Sequence, residues 1–84
     1  MMNKTETLKS AFEARIREID EYQINIDNYT LAIAKVKADY ADNPAIVDFG
    51  SKLKELLEQH KTEQLKAIII RDVIADQLAE LEAS

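Results

Sequence analysis

One glycine and one proline in 84 residues leave this chain almost no means of turning. Tight turns need residues that accept unusual backbone angles, and Gly and Pro supply most of them. Strands joined by turns are therefore not expected, and a few long helices are. The remaining composition agrees. It is rich in Ala, Leu, Lys, Glu and Gln, whose side chains lose little freedom on entering a helix. With 46% hydrophobic and 32% charged residues, the chain is too apolar for intrinsic disorder and too evenly charged for a membrane span. Its longest apolar run, Ala67 to Ile70, falls far short of the ~20 residues a spanning helix needs.

The lone proline marks the bend. Asn43 is a good helix N-cap, because its side-chain oxygen can accept from a free backbone N–H. Pro44 then takes the first helical position, where its missing N–H costs nothing. Proline also drives Asn43 out of helical angles, which ends whatever precedes it. At the front, Asn3 and Glu6 stand at capping-box spacing. The sequence thus predicts a single domain over 1–84, with helix 1 over about 4–40, a turn at 41–43 and helix 2 over about 44–82.

Both helices carry a seven-residue repeat. Phe12, Ile19, Ile26, Ile33 and Tyr40 form one set, and Leu8, Arg15, Tyr22, Tyr29 and Val36 a second, offset by three or four. Only Arg15 breaks the pattern, with Ile16 beside it as a partial substitute. In helix 2 the set is Ile46, Leu53, His60, Ala67, Ile74 and Leu81, with Phe49, Leu56, Leu57, Ile70 and Leu78 beside it. The stripe turns polar from His60 to Gln64. This is the spacing of helices that pack lengthwise. At 1.5 Å per residue the two would be ~55 and ~58 Å long, and so short a connection makes them antiparallel neighbours. The expected fold is all-α, a long antiparallel α-helical hairpin. If facing residue numbers add to about 84, Glu13 meets Arg71, Glu18 meets Lys66, Lys9 meets Asp76 and Lys37 meets Asp48. The alternative is a compact three-helix bundle, broken at Asp27-Asn28-Tyr29-Thr30 or at Gly50-Ser51.

Two helices bury little, and ordering the chain costs ~1.5 kcal/mol per residue. Helix 2 shows more apolar surface than one partner covers, since the consecutive Ile68, Ile69 and Ile70 point in three directions. Leu65, Val73, Ile74 and Leu78 widen that patch. Ile16 and Ile24 lie outside the main stripe of helix 1. The expected interface is therefore Leu65, Ile68, Ile69, Ile70 and Val73, with Ile16 and Ile24. The simplest partner is a second copy, giving a homodimer and a four-helix bundle.

Chemistry is sparse. No cysteine is present, so disulfides and Cys-ligated metals are excluded, and a reducing compartment such as the cytoplasm fits. The start of the chain leads into no apolar segment, so no signal peptide is expected. His60 and Glu63 share a helix face, but two ligands do not make a metal site. A di-iron bundle pattern needs Glu three residues before His, and Leu57 stands there. Ser10, Ser51 and Ser84 have no base at helical spacing, and the lone Gly50 cannot build a phosphate loop. No catalytic residue, cofactor or metal is expected. A net charge of −5 argues against direct nucleic-acid binding. Asp72, Asp76 and Glu80 form an acidic stripe beside Glu82, and Asp39, Asp42 and Asp48 crowd the hinge. Such faces are commonly only solvated, but they can also steer a basic partner.

Asn43-Pro44-Ala45-Ile46-Val47-Asp48-Phe49, followed by Ser51-Lys52-Leu53, resembles the turn and second helix of the small type III secretion hairpins, the needle subunits and their helical co-chaperones. The N-terminal half lacks the Gly- and Trp-bearing head of needle subunits. The general cast, a short acidic Cys-free hairpin, also looks like small accessory proteins of bacteriophages. Three functions follow. The chain is expected to be a non-enzymatic protein–protein interaction module, a self-associating adaptor or structural subunit. The first alternative is a small phage-type inhibitor or decoy that docks on a host enzyme, for example one that handles nucleic acid. The second, implied by the resemblance, is a secretion-type hairpin subunit or co-chaperone.

Overall fold

The computed structural model describes residues 3–83, and the sequence readings at Met1, Met2 and Ser84 lie outside them. Two helices account for nearly all of it, α1 over Lys4–Asp39 and α2 over Pro44–Ala83. Both predicted starts are made by asparagine. Asn3 Oδ1 accepts from the Glu6 N–H at 2.8 Å, and Asn43 Oδ1 accepts from the Ile46 N–H at 3.2 Å. Each bond satisfies one of the free donors of a first helical turn. Helix α1 ends at Asp39, one residue short of expectation, and Tyr40 donates its backbone N–H to the Val36 carbonyl. The Asn43 N–H then reaches the Tyr40 carbonyl at 3.0 Å, which closes the turn against Pro44.

The chain folds back once, and the three-helix alternative is not adopted. Asp27 to Thr30 stays helical, where Thr30 Oγ1 donates to the Ile26 carbonyl at 2.8 Å. Gly50 and Ser51 also stay helical. Glycine is there for space rather than for bending. A Cβ at position 50 would stand 3.0 Å from Val36 Cγ1, so the two backbones approach closely next to the turn.

The result is a rod of 63 × 20 × 15 Å. Its radius of gyration is 18.7 Å, against about 12 Å for a compact domain of this length. The core is one seam, with Ile26 and Val36 buried on α1 and Gly50, Leu53, Ala67 and Ile74 on α2. Gly50 lies across from Val36, and Gln64 reaches Ile19, so facing numbers add to 86 and 83, close to the expected register.

The register holds, but the charge pairs that were to mark it do not form. Every ion pair among the described residues lies within one helix. Glu18 pairs with Arg15 at 3.0 Å, Lys66 with Glu63 at 2.9 Å, Asp48 with Lys52 at 3.5 Å and Arg71 with its neighbour Asp72 at 3.1 Å. Glu13, Lys9, Asp76 and Lys37 make no ion pair across the seam. Neighbours along the same helix are already close by, so they capture Glu18, Lys66, Asp48 and Arg71 first, which does not account for Lys9 and Asp76. Register rests on apolar packing instead.

Gly50→Ala tests the close approach. Alanine should gain about 1 kcal/mol of helix propensity, but Val36, stiff at χ1, cannot turn away from the added methyl. We expect Gly50→Ala to destabilise the parent hairpin and to stabilise a Val36→Ala background, as read by urea denaturation. Equal effects in the two backgrounds would show that the helices do not touch there.

Candidate interaction surfaces

Each residue turns a helix by 100°, so position relative to a buried seam residue fixes direction. Ile69 follows buried Ala67 by two, which sets it about 200° round, on the outside of α2. It is 54% exposed. Leu65, Ile69 and Val73, four apart, form a ridge on that outer face, and all three are exposed. Ile24 precedes buried Ile26 by two, so it faces outward from α1, on the opposite side of the rod, at 61% exposure. Ile16 and Ile68 are half-buried along the seam's edge. The seven interface candidates therefore do not share one patch. The structure brings Leu65, Ile69 and Val73 together, turns the exposed Ile70 toward the side nearer the seam, and sets Ile24 apart from them all.

Among the described residues, five large apolar side chains outside the expected interface are open to solvent, Leu31, Tyr40, Val47, Phe49 and Leu56. Leu31, at 69% exposure, was not singled out at all, although it follows Ile24 by seven and so continues its outward face. Phe49 and Leu56 were read as seam residues but are exposed. They follow Ile46 and Leu53 by three, which turns them some 60° out of the seam. A groove on that side is lined by Ala32, Lys35 and Val36 of α1, by Tyr40 just beyond it, and by Ile46 and Phe49 of α2. A second groove on the other side is lined by Ile33, Lys37 and Ala41 and by Val47, Ser51 and Lys54.

The polar stretch of the seam is bridged. The His60 ring stands edge-on to Tyr22 and Tyr29, with centroids 5.8 and 5.0 Å away. Its Nδ1 lies 2.9 Å from the Leu56 carbonyl. Gln64 Nε2 donates to the Ile19 carbonyl at 3.2 Å and to Gln23 Oε1 at 2.9 Å, and so ties α2 to α1. These groups pair with one another and with backbone, and no group of three or more His, Cys, Asp or Glu among the described residues could hold a metal. No described helix is long and apolar enough to cross a membrane.

The acidic stripe lies on the outer face of α2. Asp72, Asp76 and Glu80 are all exposed, and Asp72 is held by Arg71. Elsewhere the electrostatics are local. The hydrogen bond that Lys66 donates to Glu63 raises its ammonium above the ordinary pKa, and the one that Lys35 donates to Asp39 does the same. Such a contribution is whole below the ordinary lysine pKa and fades as pH rises through the raised one. No family model, curated protein or solved structure matches the chain.

A double-mutant cycle checks the locality of the charges. Glu63 and Lys66 should show a small but measurable coupling, as exposed neighbours on one helix do. Glu18 and Lys66 should show no measurable coupling in the same urea titrations. A larger value for Glu18 with Lys66 would mean that the helices do exchange an ion pair.

Proposed function

We propose that the chain is a non-enzymatic protein–protein interaction module, a self-associating hairpin that serves as a structural subunit or adaptor. Its surface supports this reading. The chain exposes 6178 Å², whereas a compact protein of 9.6 kDa exposes about 5,100 Å². The surplus of about 1,100 Å² is of the size a stable interface removes, roughly 800 Å² from each partner. Ten large aliphatic and aromatic side chains among the described residues, from Ile24 to Val73, are exposed. A second copy is the simplest cover, and a closed pair leaves the ends of the rod free to meet another protein. A cytoplasmic setting suits a chain without cysteine.

Sedimentation equilibrium over a hundredfold concentration range tests it. We expect a single species of twice 9.6 kDa that does not grow further. A monomer at every concentration would overturn the reading, and mass that rises without limit would replace the closed pair with a polymerising subunit.

A further inference from the structure

Resting on that reading, we infer that the self-association surface is the flank bearing Phe49, Leu56 and Ile70, not the outer ridge at Ile69. Its occupant is a second copy laid face to face, with its turn at the opposite end. Phe49, Leu56, Glu63, Ile70 and Gln77 recur every seven residues, each three after a seam position, from the turn almost to the end of α2. Phe49 is 50%, Leu56 37% and Ile70 48% exposed. A stripe with this period and length can meet a helix along its whole course. The outer ridge is shorter. It spans only Leu65 to Val73, with Asp72 beside it and Asp76 just past its end.

Helix α1 completes the flank. The groove shared by Ala32 and Phe49 shows which sides of the two helices lie together. On α1 that side carries small Ala11 and Ala32, both half-buried, at positions one before Phe12 and Ile33, with polar Glu18 and Asn25 between them. Small side chains let a neighbouring helix come close. The geometry also favours the flank. Contact about 60° from the seam gives each helix two neighbours, the square arrangement of a four-helix bundle. Contact at Ile69, 200° from the seam, would set four helices in a row and leave both edges of each seam wet.

Charge sets the orientation. Residues 72–82 carry Asp72, Asp76, Glu80 and Glu82 with no basic residue, while 44–61 balance three lysines against three acids. Stacking with both turns at one end would crowd the two acidic ends together. Placing the turns at opposite ends sets each acidic end against the neutral half of its partner. Helix α2 then lies antiparallel on its copy about a two-fold axis near Glu63, and Leu56 meets the partner's Ile70 twice. At the axis Glu63, already bonded to Lys66, faces the same pair reversed.

The natural absence of cysteine makes the test clean. Near the axis, Glu63→Cys should form a disulfide with its own copy under mild oxidation. Leu56→Cys and Ile70→Cys should each fail alone but join when mixed, because a disulfide needs Cα atoms within about 7 Å. Leu56→Asp and Ile70→Asp should weaken the dimer at least tenfold with helicity unchanged by circular dichroism, and Ile69→Asp less than threefold. Self-joining by Leu56→Cys would overturn the orientation. A dimer broken by Ile69→Asp and spared by Leu56→Asp would overturn the surface while leaving self-association intact, whereas a monomeric parent chain would overturn both.

Discussion

The hairpin depends on one line of contact. Ile26 and Val36 from α1, and Leu53, Ala67 and Ile74 from α2, are its buried hydrophobic residues. Helices of 36 and 40 residues could not persist on propensity alone, since most helical stability in proteins comes from tertiary burial. The seam supplies that burial, and Gly50 against Val36 draws it tightest next to the turn. Further along, the seam is polar but satisfied, with His60 between two tyrosines and Gln64 bonded across it. An unpaired polar group there would cost more than its bond contributes.

A two-helix rod has a geometric shortfall that follows from the seam. Each helix presents apolar side chains over a wider arc than one neighbour can cover. The surplus falls on three directions, the outside of α1 at Ile24 and Leu31, the outside of α2 at Leu65, Ile69 and Val73, and the flank at Phe49, Leu56 and Ile70. The last is the longest of the three, from Phe49 to Ile70, and Ala32 of α1 lies on the same side. The charge imbalance between the ends of α2 then matters less for stability than for the direction in which a copy would lie.

Much of this was legible in the residues. Asn43-Pro44 located the turn because a cap and a fixed φ act locally, and Asn3 located the first helix start for the same reason. The seven-residue repeats revealed the seam, since periodicity reports a face without needing to know the partner. The cross-helix charge pairs were not legible. Register predicted that Glu18 and Lys66 lie near each other, but Arg15 and Glu63, one turn away on their own helices, reach them first. Phe49 and Leu56 were misplaced because a 60° offset is too fine to resolve from spacing until the seam's direction is known. Leu31 pairs with Ile24 at a spacing of seven, but two residues are too short a repeat to mark a face.

By itself, then, the sequence determined that the chain is helical, where it bends and which stripe zips, all properties of neighbours within a turn or two. Only the tertiary structure decided how close the helices come at Gly50 and which of the consecutive isoleucines at 68 to 70 faces away from the seam. Those outcomes depend on distances across the hairpin, and a distance between residues far apart in the chain exists only once both helices have docked.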